Sequence, residues 1–299
     1  MSQVSRTFAE SPALPASALL LNALVWGLSW IAFKALKAHG VHPLWSTVMI
    51  YGTALLALLA CRPSGVRALA RHPYLLGLSA AAGLTNLGFN WGVTIGDVVR
   101  VVLLFYLMPA WSIGIAWWLL GERPTRAAIV RLILALGGVL LVLKKPGSPW
   151  PLPESLADGL ALMAGFTFAL TNALLRRWRT APSDARAMAM FGGSMTISSV
   201  VAIAGMAHGL VPSLPAPSLQ WLPWALMLAA AFLCGNLALQ YGAARLPAQA
   251  TALIMLSEVV FASVSAMLLG ATQLSPGTLA GGAMILTAAL LAVWSGRRG

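Results

Sequence analysis

Ten long apolar segments fill most of this chain and limit what it can fold into. They lie at residues 17–36, 43–61, 73–95, 99–120, 127–143, 156–175, 187–208, 221–242, 248–271 and 277–294. A helix needs about 20 apolar residues to cross the roughly 30 Å hydrocarbon core of a bilayer, and the segments match that length. Only 9% of the 299 residues are charged, too few to cover a water-facing surface. The sequence therefore predicts an all-α integral membrane protein with ten transmembrane helices.

A polar motif occurs once in each half of the chain. Residues 86–92 read Asn-Leu-Gly-Phe-Asn-Trp-Gly, and residues 236–242, about 150 positions later, read Asn-Leu-Ala-Leu-Gln-Tyr-Gly. The two copies lie in the third and eighth apolar segments, so the repeat is one of membrane helices. With five spans in each half, the second half inserts upside down relative to the first. This is the inverted-repeat plan of secondary transporters.

The motif repeat and the proline-rich stretch between its copies predict the domain boundaries. Two five-helix repeats are expected at 17–143 and 156–294, joined by a linker at 144–155, with cytoplasmic segments at 1–16 and 295–299. Thirteen Lys and Arg residues fall on the side that holds both termini and five on the opposite side, with one unassigned. Basic residues are in excess on the cytoplasmic side of membrane proteins, so both termini are predicted to be cytoplasmic.

Polar side chains within the predicted spans are the first candidates for a substrate site, because they are costly in a bilayer. Asn86 and Asn90 are four residues apart in one span, and Asn236 and Gln240 are four apart in another, so each pair shares a helix face. Such amides can bind a zwitterion or an amide, or they can simply join helices. Glu258, the only acid deep inside a predicted span, can bind an ammonium group, take up a coupling proton, or hold helices together.

Aromatic side chains at the same depth form a second set of candidates. Their rings can enclose an apolar ligand by offset stacking or hold a cation, whereas the alternative is a lipid-facing or interfacial position. The candidates for lining a pocket are Trp26, Trp30, Tyr106, Phe166 and Tyr241.

Pro109 lies midway along the fourth predicted span. A proline there removes one helical hydrogen bond and bends the helix. We expect a hinge at this position, with a static kink as the alternative.

The sequence contains no Walker-type phosphate loop, no metal-ligand spacing of His and Cys, and no evident nucleophile–base set. No cofactor, metal or catalytic residue is therefore expected. The expected partners are a small-molecule substrate and the lipid bilayer. The net charge of +12 is interpreted as membrane topology and headgroup contact rather than nucleic-acid binding. Because one chain holds both repeats, a monomer suffices, and a higher oligomer stays open.

Several short runs, together with the two five-span halves, resemble those of a known superfamily. They are Trp26-Gly27, Tyr106-Leu107-Met108-Pro109, Leu120-Gly121-Glu122 and Gly137-Gly138. The chain resembles the drug/metabolite transporter superfamily, in the branch of ten-helix proteins with two EamA-type repeats. The aromatic-Leu-X-Pro run is similar to one in the bacterial aromatic amino acid exporters. The second half departs from the pattern, with Val259 at the position equivalent to Pro109.

This resemblance implies an inner-membrane bacterial transporter, not an enzyme, that exports small amphipathic metabolites. Amino acids, aromatic ones first, are the implied substrates, moved by alternating access through a central cavity between the repeats. The alternative is proton-coupled multidrug efflux of lipophilic cations that uses Glu258 and the aromatic residues. A third is a membrane enzyme that acts on lipid-linked substrates. The sequence leaves open the substrate itself, the coupling of transport, the resting conformation and the exact helix register between the repeats.

Overall fold

The computed structural model of the chain describes residues 13–121, 125–143, 153–178, 180–243, 254–255, 257–272 and 275–295. These residues form helices and contain no strand. The first half holds α1 (Ala13–Ala38), α2 (Pro43–Cys61), α3 (Ser64–Ala70), α4 (Leu76–Ile95), α5 (Val98–Phe105), α6 (Met108–Leu120) and α7 (Arg126–Leu143). The second half holds α8 (Leu156–Arg177), α9 (Ser183–Ala207), α10 (Leu222–Ala243), α11 (Ser257–Leu268) and α12 (Pro276–Ser295). A short 3-10 helix at Pro73–Leu75 precedes α4.

Among the described residues, six stretches are long and apolar enough, by length and composition, to cross a membrane. They are Ala13–Ala38, Pro43–Cys61, Val98–Leu119, Leu156–Arg177, Ser183–Ala207 and Leu222–Leu239. Helices suit a bilayer because they satisfy every backbone N–H and C=O within one segment. The predicted all-α class is confirmed for the described residues, and the apolar helices point to a multi-pass membrane protein.

Prolines open two of the helices. Pro43 and Pro276 are the first residues of α2 and α12, where the missing N–H would have no helical acceptor. Ser275 caps α12, because the Thr278 N–H donates to its Oγ at 3.1 Å.

The fourth predicted span is divided, because α5 ends at Phe105 and α6 begins at Met108. Pro109 has no N–H to donate to the Phe105 carbonyl four residues earlier. The discontinuity therefore falls at Tyr106 and Leu107, just ahead of the proline. The side chain of Pro109 lies outside the described part of the structure.

Two glycines allow helices from opposite halves to approach closely. A Cβ atom at Gly165 of α8 would lie 2.6 Å from the Phe105 carbonyl oxygen, and one at Gly27 of α1 would lie 2.8 Å from the Glu258 carbonyl oxygen. Any larger residue at either position would collide with backbone. Small residues that admit such approach are a common means of packing membrane helices.

The helix pairs α1–α10 and α4–α8 pack in the same way. The motif glycine Gly92 of α4 faces Ala157 near the start of α8, and its counterpart Gly242 of α10 faces Pro15 near the start of α1. Each copy of the repeated motif thus lies against the first turns of the first helix in the other half.

A buried ion pair holds the two halves together at the ends of the predicted linker. Arg100 of α5 donates from Nε to Asp158 Oδ1 at 2.7 Å and from Nη2 to Oδ2 at 3.0 Å. Its Nη1 also donates to the carbonyl oxygen of Val142, the penultimate residue of α7. Asp158, at the start of α8, is only 1% exposed. The two-point geometry favours Arg over Lys at this position.

Gly193 and Gly192 of α9 form a matched pair for testing the close packing of helices. A Cβ at Gly193 would collide with the backbone of Ser79 in α4, whereas nothing lies within 4 Å of one at Gly192. Gly193→Ala should lower the unfolding free energy in detergent by about 1–3 kcal/mol through overpacking. Gly192→Ala should leave it unchanged or slightly raised, because alanine favours helix. Equal unfolding midpoints for the two variants would contradict this packing.

Loss of one partner in the Arg100–Asp158 pair should be more costly than loss of both. Asp158→Asn should destabilise the protein by about 3–5 kcal/mol, because the guanidinium is left without its countercharge. Adding Arg100→Gln should recover part of that loss, and Arg67→Gln on exposed α3 is the control. The measurement is a double-mutant cycle of unfolding in detergent, and strictly additive effects would refute coupling between the two side chains.

Candidate substrate-binding site

A connected set of aromatic rings lies in the core, and we define it as the aromatic cluster. Its members are Trp26, Tyr51, Phe89, Phe105, Phe168, Phe191 and Phe232. Trp26 of α1 contacts Phe232 of α10, with ring centroids 4.5 Å apart, and Phe89 of α4, with centroids 5.9 Å apart. Phe89 in turn contacts Phe105 of α5 at 4.9 Å. These are the offset and edge-on distances at which aromatic pairs attract one another.

The cluster continues in two directions. Phe105 contacts Phe168 of α8, with centroids 5.3 Å apart. On the other side, Tyr51 of α2 contacts Phe232 at 6.0 Å and Phe191 of α9 at 5.8 Å. Both halves of the chain therefore contribute rings to the same cluster.

Glu258 lies next to one end of this cluster. It is in the first turn of α11 and only 6% exposed, and the Tyr106 hydroxyl lies 3.1 Å from its Oε2. The Tyr106 ring contacts the cluster member Phe105 at 5.8 Å. The structure thus brings two of the predicted site residues, Glu258 and Tyr106, into direct contact.

The Tyr106 hydroxyl has more acceptors within reach than it has protons. It also lies 3.2 Å from the carbonyl oxygen of Met255, yet a phenol carries one donor. A protonated Glu258 can donate to Tyr106 while Tyr106 donates to Met255, which satisfies all three groups. An ionised Glu258 instead competes with Met255 for the single phenol proton. The hydrogen-bond pattern thus depends on the protonation of the carboxyl group.

The two amides of the first motif copy bind different helices. Asn86 donates from Nδ2 to Ser194 Oγ of α9 at 2.8 Å, and Asn90 donates from Nδ2 to Thr47 Oγ1 of α2 at 3.3 Å. Asn86 is half-buried and Asn90 is fully buried. α4 therefore ties α2 and α9 together through its polar face. Asn86 acts here as a link between helices, which is one of the two roles that the sequence left open.

Trp30 has a similar linking contact. Its indole N–H donates to Ser265 Oγ of α11 at 3.0 Å, and the Lys34 ammonium lies 5.3 Å from its ring centroid. The ring is 5% exposed and packs with the aromatic cluster. Trp30 thus joins α1 to α11 beside the candidate site.

The remaining predicted residues lie on α8 and α10. Phe166 is 41% exposed and contacts Trp111 on the surface of the helices, with centroids 5.6 Å apart. Asn236 and Tyr241 are half-buried on α10. The side chain of Gln240 lies outside the described part of the structure.

Sequence reasoning missed most of the rings in the cluster. Tyr51, Phe89 and Phe232 carry no sequence signal that separates them from lipid-facing aromatics, although Phe89 lies inside the repeated motif. It also missed the Arg100–Asp158 pair, since two residues 58 positions apart gave no pattern. Among the described residues, no group of three or more His, Cys, Asp or Glu is placed to hold a metal ion.

Comparisons with known proteins agree with the resemblance that the sequence indicates. Residues 14–144 match the EamA-like transporter family. The chain is 33% identical over 162 residues to Protein RarD of Streptomyces exfoliatus. The aligned region is 51% of this chain and 48% of that protein, so the chain spans about half the length of this curated relative. The predicted similarity to EamA-type members of the drug/metabolite transporter superfamily is confirmed.

A protein of known crystal structure shares the fold. The TM-score is 0.60, with 96% of this chain and 99% of that chain covered. Sequence identity is 19%, so this likeness concerns the fold alone.

Proposed function

We propose that this chain is a multi-pass transporter, not an enzyme, that exports small amphipathic metabolites across the bacterial inner membrane. Aromatic amino acids are the first substrate class in this proposal. The observation that carries it is the aromatic cluster, whose rings come from both halves of the chain. Secondary transporters built from repeats bind their substrates where the repeats meet, near the middle of the bilayer.

The proposed topology is ten spans in two inverted five-helix repeats, at 17–143 and 156–294, with both termini in the cytoplasm. Reciprocal contacts support it. Gly27 of α1 lies against the Glu258 carbonyl, and Gly165 of α8 lies against the Phe105 carbonyl. In each case the first helix of one half packs on the fourth span of the other, as a two-fold relation between repeats requires.

Alternating access follows from the same arrangement. In our proposal the halves rock about the aromatic cluster, and the break between α5 and α6 ahead of Pro109 absorbs the change in shape. Trp26 and Tyr106 enclose the apolar body of the substrate, while Glu258 meets its ammonium group. Phe166 has no part in this site, because its ring lies apart from the cluster.

Proton-coupled efflux of lipophilic cations is the second candidate. The buried contact between Glu258 and Tyr106 favours it, because the hydrogen bonds of this pair change with one proton. A buried carboxylate can hold either a cationic substrate or a proton, which would exchange one for the other. The surrounding rings suit a lipophilic cation as well as an aromatic amino acid.

Flux in proteoliposomes separates the two functions. We expect saturable uptake of radiolabelled tryptophan and phenylalanine, little uptake of alanine, and no uphill accumulation when a pH gradient is imposed. Uptake of a lipophilic dication only in the presence of the gradient, with no measurable uptake of the amino acids, would establish the second function instead. Vesicles without protein are the control.

Glu258→Gln tests what the carboxyl group does. Downhill tryptophan flux should persist with a raised KM, because the amide keeps its hydrogen bond to Tyr106 but loses the charge that attracts an ammonium group. Under proton-coupled efflux the same change should abolish gradient-driven flux altogether. Glu154→Gln, at an exposed acid before α8, is the matched control and should behave as the wild type. Unchanged kinetics in Glu258→Gln would remove the residue from both schemes.

A further inference from the structure

We propose that Tyr51 and Asn90 form a polar subsite that accepts a hydrogen bond from the ring of the substrate, so that the transporter prefers indole and phenol side chains to phenyl. This inference rests on the proposed export of aromatic amino acids. It assigns a role to Tyr51 and names the feature of the substrate that is recognised.

The hydrogen bonds around Asn90 fix the direction of its amide. The Thr47 hydroxyl donates its one proton to the Pro43 carbonyl at 2.9 Å, so Thr47 Oγ1 can only accept from Asn90. Asn90 Nδ2 must therefore face Thr47, from which it lies 3.3 Å away. Asn90 Oδ1 then points elsewhere, and in the described structure this buried oxygen has no hydrogen-bond partner.

A second buried oxygen without a partner lies beside the first. The Tyr51 hydroxyl is next to the Asn90 side chain, but no hydrogen bond of normal geometry joins it to any described group. Tyr51 is 4% exposed and Asn90 is 0% exposed. The two residues come from neighbouring helices, α2 and α4, and the Tyr51 ring is itself part of the aromatic cluster.

Unpartnered buried oxygens are uncommon in folded proteins, because each one loses its hydrogen bonds to water on folding and gains none in return. Asn90 Oδ1 is solely an acceptor, and the Tyr51 oxygen can accept as well as donate. With no described donor bonded to either oxygen, the pair can accept one N–H or O–H from outside. A cation is a poor fit for two neutral oxygens in an apolar setting, so the missing group is a neutral donor.

The position of the pair within the cluster indicates which part of the substrate supplies this donor. Ring contacts lead from Tyr51 through Phe232, Trp26 and Phe89 to Phe105, which contacts Tyr106 at the Glu258 end. The substrate ammonium belongs at the carboxyl end, where a countercharge is available. The Tyr51 end then meets the far side of the aromatic ring, which carries N–H in indole, O–H in phenol and neither in phenyl.

Matched substrates test the subsite directly. Tryptophan should be transported with a kcat/KM about two- to tenfold above that of 1-methyltryptophan, which lacks only the indole N–H. Tyrosine should likewise exceed O-methyltyrosine. Tyr51→Phe and Asn90→Leu should each lower tryptophan and tyrosine flux toward the methylated level and should lower phenylalanine flux by less. Tyr51→Phe removes a single oxygen, so its folding is expected to match that of the wild type.

Thr85→Val is the control variant, because it removes a buried hydroxyl from the same helix, one that already bonds Thr167 at 3.0 Å. It should keep the preference for tryptophan. Equal transport of tryptophan and 1-methyltryptophan by the wild type, or a preference that survives Tyr51→Phe, would overturn the subsite while the proposed function stands. Failure to transport any aromatic amino acid would instead overturn the proposed function and the subsite with it.

Discussion

Hydrocarbon cannot supply a hydrogen bond to a backbone carbonyl, and much of this structure follows from that constraint. Pro109 leaves the Phe105 carbonyl without its helical donor. The chain responds by ending α5 at Phe105, and α8 approaches that carbonyl so closely that only a glycine, Gly165, fits against it. One proline in the fourth predicted span thus accounts for the helix break and for the glycine that packs against the Phe105 carbonyl. The same break places Tyr106 at the end of α5, where its hydroxyl reaches Glu258.

In the second half, a helix also lies close to a backbone carbonyl, but no proline is involved. Under the proposed repeat, Val259 stands at the position that corresponds to Pro109, yet Gly27 of α1 still lies against the backbone carbonyl of Glu258. The close approach of helices is therefore common to both halves, whereas the proline is not. The acid is also confined to one half, so the two sides of the aromatic cluster differ in chemistry while they share a packing scheme. Under the proposed function, this difference gives the site one polar end for an asymmetric substrate.

Much of the fold could be predicted from the sequence, because membrane helices can be recognised by their length and apolar composition. The site was harder, because the same Asn can bind substrate or join helices. Asn86 bonds Ser194 and Asn90 leaves an oxygen unpaired, and only their surroundings in three dimensions distinguish them. Phe166 and Phe168 show the same limit. They are two positions apart, yet the Phe166 ring is exposed and the Phe168 ring belongs to the aromatic cluster.

The Arg100–Asp158 pair has a consequence for how the two halves stay in register. Its guanidinium reaches Val142 on one side of the linker and Asp158 on the other, so noncovalent contacts already span the stretch that the linker covers. The linker is then not needed to align the two halves. Two separate chains, cut between these residues, would retain the described contacts of α1 with α10 and of α4 with α8. Joining the halves in one chain keeps their numbers equal and makes their association intramolecular, so it does not depend on diffusion in the membrane.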